Sequence, residues 1–296
     1  MPCPYIKNST VKKEQTVMAG KKLIPLIILM VLSLMLWSPG CGGGSKSSRS
    51  SSGGGGSTGG TGGGGGGTGG GGGGNVSIPF GQSSNGTGGD TGVNSLTTSS
   101  GVNYNVIVPS SYGESTPNEF LIVYSGSEGG SVMTNNLVSM RSRTGVSSFI
   151  FAVLDGPTYR GNGQAGADVL GDVRAKYNID NDRTYLLGES AGSTGAAELG
   201  FNIGQSYFAA YWANDIVSSM SGYGPSKTAS ELGFAPWGNV GPGGQMGVAG
   251  QLVAAMRDAG YRLPSDAPYS GPGSTQHGAI PQLEAALSFF LGKTRQ

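Results

Sequence analysis

The chain has 296 residues, a net charge of +1, 58 glycines, two cysteines and one histidine. Near-neutral charge without a basic patch gives no footing for nucleic acid. One histidine, and one cysteine left in the expected mature chain, fall short of a zinc-type ligand set, so no metal or other cofactor is expected.

In chain order, Lys21 and Lys22 precede a 15-residue apolar run at 23–37, followed by Ser38-Pro39-Gly40-Cys41. The run is shorter than the roughly 20 residues of a membrane span and suits the core of a signal peptide. A small residue before a cysteine resembles a bacterial lipoprotein processing site, although Ser38 stands where such sites usually carry leucine. Met18 would give a more compact leader, and an uncleaved signal anchor is the alternative. Residues 1–41 are therefore read as a leader with Cys41 as the lipidated residue. Cys3 would leave with the leader, so Cys41 would be the only thiol and no intramolecular disulfide could form.

Residues 42–75 are nearly all glycine, serine and threonine. Such a segment cannot bury apolar surface and reads as a disordered tether, with an r.m.s. span of roughly 30 Å. Together these features predict a protein of the bacterial cell envelope, lipid-anchored to the membrane through Cys41 and facing the periplasm or exterior. A single acyl chain binds a membrane only marginally, so stable anchoring takes at least two.

Residues 76–296 are long enough for one domain. Strands are predicted at 104–109, 119–124, 148–154, 183–187, 208–214 and 234–237, with the start of a last strand at 261–263. Helices are predicted at 137–143, 167–177, 193–201, 248–259 and 281–291. The alternation predicts an α/β fold, a mostly parallel sheet flanked by helices. Trp212, Trp237 and Tyr223 read as core packing rather than pocket lining.

The chemistry centres on Gly188-Glu189-Ser190-Ala191-Gly192, with a strand-like run before it and a helix-like run after it. A serine hydroxyl is a weak nucleophile near neutrality and needs an adjacent base. In a serine hydrolase of this chain the base can only be His277, and serine before histidine is the α/β-hydrolase chain order. The bland alternative is a surface histidine and a chance motif. Chance matters in a glycine-rich chain: Gly55-Gly56-Ser57-Thr58-Gly59 has the same pattern. That copy lacks a strand and a helix around it and reads as a decoy. Glu189 reads as structural, bonding to nearby backbone.

The stretch from Tyr177-Asn178-Ile179-Asp180 through Gly192 resembles the elbow region of polyhydroxybutyrate-depolymerase-like and feruloyl-type esterases of the α/β-hydrolase superfamily. Tyr104 to Tyr112, containing Val108-Pro109-Ser110-Ser111-Tyr112, is similar to that family's opening strand, and His277 with Pro281 and Phe289-Phe290-Leu291 to its C-terminal end. The resemblance covers about residues 100–291. It implies an α/β-hydrolase fold and a serine esterase working through an acyl-enzyme, with Ser190 as nucleophile and His277 as base. Carried over by position, the backbone N–H groups of Ser127 and Ala191 would form the oxyanion hole.

Two departures accompany it. The family's His-Gly after the strand is replaced by Ser125-Gly126-Ser127. Where the family carries Gly-x-x-Asp, this chain has Gly238-Asn239-Val240-Gly241, without a carboxylate. Asp215, at the end of the preceding strand, is the best substitute. Asn239 could orient the ring without charge, Asp266 is a third choice, and a site without a third member is the fourth. The expected function is an exported serine esterase acting on a small or polymeric ester. The alternatives are a serine peptidase or a non-catalytic binding protein on a hydrolase scaffold.

Overall fold

The structure, a computed structural model, describes residues 78–295. These belong to one compact unit, Gly70–Gln296. The expected leader, Cys41, the tether and the decoy Ser57 lie outside the described residues.

Seven strands form one sheet: β1 (Gly92–Thr97), β2 (Asn103–Val108), β3 (Asn118–Tyr124), β4 (Ile150–Leu154), β5 (Ile179–Glu189), β6 (Ala210–Asn214) and β7 (Trp237–Val240). Their order is β1-β2-β4-β3-β5-β6-β7. The β1–β2 and β2–β4 pairs are antiparallel, and every pair from β4 to β7 is parallel. This is the mostly parallel sheet that the alternation predicts.

The strands are apolar because helices cover both faces. Successive side chains point to opposite sides, so Ile122 and Leu186 join one core while Leu121, Val123, Tyr185 and Leu187 join the other. The first core takes up α2 (Gly163–Lys176) through Val169, Leu170 and Val173, and α5 (Met246–Asp258) through Leu252, Val253 and Met256. The second takes up α1 (Gly130–Met140) through Met133, Leu137 and Met140, and α6 (Ile280–Phe289) through Leu283, Ala286 and Leu287. A side chain such as Leu121 or Phe151, both fully buried, contributes about 1.5–3 kcal/mol relative to exposure.

Several boundaries differ from expectation, each for a physical reason. β1 is unpredicted: Gly-Val-Asn-Ser-Leu-Thr is polar and half-exposed, as suits an edge strand. It is held by side-chain pairs across the ladder, Ser95 Oγ donating to Asn105 Oδ1 at 2.8 Å and Thr97 Oγ1 to Asn103 Oδ1 at 2.8 Å. The helix expected at 137–143 starts at Gly130, because Asp155 accepts the Gly130 N–H at 3.0 Å and caps the chain there. The short strand expected at 234–237 lies at Trp237–Val240, in register with β6. Of 261–263, only Arg262 forms a bridge, to Trp237.

The expected helix at 193–201 is α3 (Ser193–Ala197), which widens into a π-type turn over Glu198–Ile203. The last two helices have the expected places, and α4 (Ala229–Leu232) is a single extra turn closed by a Thr228–Glu231 capping box.

Candidate active site

Ser125–Ser127, Ser190 and Asp215 follow the C-terminal ends of β3, β5 and β6, and His277 lies on a loop that returns to them. Ligands bind at that edge in open α/β sheets. A cleft of about 590 Å³ opens instead at the other end of β5, lined by Asp180, Asp182, Arg183 and Arg295. Its charges already satisfy each other, Arg183 with Asp180 at 2.7 Å and Arg295 with Asp182 at 2.8 Å, and Ser190 is not among its lining residues.

β5 ends at Glu189, and the chain turns through Ser190 into a 3-10 turn, Ser190–Gly192, and then α3. Ser190 sits at φ 46, a left-handed conformation that a non-glycine residue adopts at a cost of order 1–3 kcal/mol. The two flanking glycines are required by contact. A Cβ on Gly188 would lie 2.6 Å from Ala196 Cβ, and one on Gly192 would lie 2.5 Å from Ser125 O. The pentapeptide is therefore a strained turn packed tightly between α3 and the chain leaving β3.

Ser190 Oγ lies 2.8 Å from His277 Nε2. Ser190 is nearly buried, whereas His277 is exposed on the loop before α6. The site is thus reached from solvent on the histidine side.

Asp215 follows β6 directly, is 1% exposed and has φ 48. Its Oδ2 accepts the N–H of Gly278, the residue after His277, and its Oδ1 accepts from Gln282 Nε2. Gln282 is fully buried, and its Oε1 accepts the Gly243 N–H at 3.2 Å. One amide side chain in the first turn of α6 thus ties together Asp215 and the loop after β7.

No hydrogen bond among the described residues joins the other candidates for the acid to His277 or Gly278. Asn239 is buried in β7, where its Oδ1 accepts the N–H of Val240 at 2.8 Å and its Nδ2 has no hydrogen-bond partner among the described residues. Asp266 is exposed on the loop before Tyr269, whose phenol burial and then the Asp266 charge push up.

Ser125 is fully buried, and its Oγ accepts the Gly156 N–H at 2.9 Å. It therefore ties the β3–α1 loop to the chain leaving β4. Ser127 is exposed in the same loop, and Ala191 is the second residue of the turn after β5. The loop and the turn are neighbours, since Gly192 packs on Ser125. Glu128 Oε1 accepts the Gly126 N–H at 2.9 Å.

Sequence reasoning missed two supporting residues, Asn214 and Gln282, and gave Glu189 the wrong bonding partner. Glu189 is expected to bond to backbone; it accepts instead from the side chain of Asn214, its register partner on β6, at 2.7 Å. Burial first, and then the Asp215 carboxylate, push the Glu189 carboxyl well above the usual carboxylate range. Gln282 had one legible signal: it precedes Ala286 by one helical turn, so a polar residue occupies the apolar face of α6. Asn214 had none, because any buried strand end looks alike in sequence. Trp212 packs against Tyr269 and Phe289 in the core, as expected.

No protein-family model and no curated protein matches the chain. Solved structures do. A thermostable esterase is 15% identical, with a TM-score of 0.52 over 69% of this chain and 63% of that one. The substrate-bound structure of FphF, fluorophosphonate-binding serine hydrolase F of Staphylococcus aureus, is 13% identical, with a TM-score of 0.50 over 69% of this chain and 100% of that one. LpqC, a poly(3-hydroxybutyrate) depolymerase from Bordetella parapertussis, is 17% identical, with a TM-score of 0.40 over 51% of this chain and 65% of that one. The match to the thermostable esterase thus spans less than two thirds of that protein's length. Together with the sheet order, the first two likenesses define an α/β-hydrolase fold.

Proposed function

We propose that the protein is an exported serine esterase, anchored by lipid at Cys41 to the bacterial cell envelope and resembling the polyhydroxybutyrate-depolymerase-like and feruloyl-type esterases. The observation that carries this reading is the 2.8 Å contact between Ser190 Oγ and His277 Nε2 at a strained strand-to-helix turn. A hydroxyl at hydrogen-bond distance from an imidazole nitrogen can lose its proton as it attacks.

In this mechanism Ser190 Oγ attacks the ester carbonyl carbon while His277 takes its proton. The tetrahedral oxyanion is held by the backbone N–H groups of Ser127 and Ala191. His277 then protonates the leaving alcohol as the C–O bond breaks. Water, deprotonated by His277, hydrolyses the acyl-enzyme and returns Ser190. Asp215 is the acid, stabilising the imidazolium from the end of β6. Its backbone contact to the residue after His277 supports that role over Asn239 or Asp266.

The substrate is a small or polymeric carboxylic ester reached from the exposed His277 side. Turnover of a panel of short-chain p-nitrophenyl esters beside matched anilides tests the reading. Hydrolysis of the esters well above the anilides supports an esterase. Faster anilide turnover would favour a peptidase, and no turnover by a folded protein would favour a binding protein.

A further inference from the structure

The residue before Ser190 is a carboxylic acid enclosed by the same structure that places Asp215. Glu189 and Asn214 are register partners at the ends of β5 and β6, and the Asn214 amide donates to Glu189 Oε2 at 2.7 Å. The Glu189 carboxyl is also within hydrogen-bonding reach of the Asp215 carboxyl. Both residues are almost wholly buried, at 6% and 1% exposure. The other charged group acting on Glu189 is Glu128, from the β3–α1 loop, and it is acidic too.

Burial beside a second carboxyl, with no basic side chain among the described residues bonded to either, disfavours a charge on Glu189. Hydrogen bonding decides which keeps the proton. Both Asp215 oxygens already accept from N–H donors, Oδ2 from Gly278 and Oδ1 from Gln282. Glu189 accepts from one, Asn214. The proton therefore belongs on Glu189, and burial acts in the same direction.

We propose that Glu189 is a positioning residue of this site: its neutral carboxyl donates a hydrogen bond to Asp215 and fixes that carboxylate beside the His277 loop. The role rests on the esterase reading, whereas the shared proton does not. Asp215 has a left-handed backbone at φ 48 and needs outside contacts to hold it. Gly278 and Gln282 supply two of these from the α6 side, and Glu189 supplies a third from β5. The residue preceding the nucleophile thereby reaches the acid through a path that does not touch the substrate.

The test has two arms. Difference infrared spectra at neutral pH between the full chain and its Glu189→Gln variant report a protonated buried carboxyl directly, whether or not the protein turns over an ester. The expected result is a neutral-carboxyl C=O band that the substitution removes, and absence of that band overturns the shared proton. Steady-state kinetics on p-nitrophenyl acetate report the positioning. Glu189→Leu fills the space without a hydrogen bond and is expected to lower kcat about tenfold or more while KM stays within about threefold. Glu189→Gln keeps an N–H for Asp215 and is expected to recover most of that loss.

A Leu variant with the original kcat, or a Gln variant as slow as the Leu variant, overturns the role. Should Glu189→Leu fail to fold, Glu189→Asp withdraws the acid by one methylene and serves in its place, with the same loss expected. If the unmutated protein neither turns over the ester nor reacts with a fluorophosphonate, the esterase reading fails and the positioning role falls with it. The infrared band then decides the shared proton alone.

Discussion

Ser190 and His277 are 87 residues apart in the chain, yet their side chains meet at 2.8 Å. Parallel strands bring this about. The sheet carries β5 to a sharp turn at Ser190, and the chain then crosses β6, β7 and α5 before the loop ahead of α6 returns to the same edge.

That contact implies that the two residues act as a unit. Ser190→Ala and His277→Ala are each expected to remove nearly all ester turnover, and the double variant to be no slower than either single one. Ser57→Ala, in the glycine tract, is expected to leave kcat/KM unchanged. Additive losses in the double variant would argue against a shared step.

Asp215 is the most exacting assignment. Asp215→Asn is expected to lower kcat by about 10²–10⁴ while the protein stays folded, because the imidazolium loses its charge partner. Asp266→Asn is expected to do little, and Asn239→Ala to have only a modest effect. Steady-state kinetics on one short-chain ester compare the three, and an Asp215→Asn enzyme with unchanged kcat/KM would remove Asp215 from the site.

Gln282 bridges Asp215 and Gly243 from inside the protein. Gln282→Leu keeps the bulk but leaves a buried carboxylate and a buried N–H each short of a partner. A loss of about 1–3 kcal/mol of stability is expected for each orphaned group, together with a lower kcat. Urea denaturation measures the first effect, and a variant as stable and active as the parent would contradict the bridge.

Much of this arrangement could be read from the sequence, though unevenly. The buried parts of β2 to β6 show in the sequence as short apolar runs. Ser190 was separable from the identical pattern at Ser57 because only Ser190 has a strand before it and a helix after it. What escaped was structure stabilised by distant partners. β1 has no apolar run and owes its place to pairing with β2. Glu189 and Asn214 depend on a register between β5 and β6 that no local pattern encodes. The helix after Ser190 has a helical sequence throughout, yet a Cβ on Gly200 would lie 2.7 Å from Leu186, and the backbone widens where it passes that strand.

Acid should loosen the start of α1. Despite a burial penalty, hydrogen bonds from Gly130 and Thr158 hold the Asp155 carboxyl below the usual carboxylate range. A group with a depressed folded pKa contributes stability above its unfolded value, about 3.9, and the contribution is lost as pH falls through the folded value. The stability gap between the parent protein and Asp155→Asn is therefore expected at neutral pH and should close under acid. Thermal melts across that range check it, and a gap independent of pH would contradict the charge argument.

Export is testable at one residue. If Cys41 is the acylated N-terminus of the mature chain, Cys41→Ala is expected to leave an uncleaved precursor or release the protein from membranes. Fractionation and intact-mass measurement report both. An unmodified Cys41 within an intact N-terminal segment would contradict the anchor.

The central claim is that Ser190 is a nucleophile activated by His277, and covalent labelling tests it most directly. A fluorophosphonate probe is expected to modify the folded protein once, on the peptide that contains Ser190, by mass spectrometry. Ser190→Ala should abolish the label and His277→Ala should slow its formation strongly. A folded, unmutated protein that takes up no label, or takes it up at any other serine, would contradict the account.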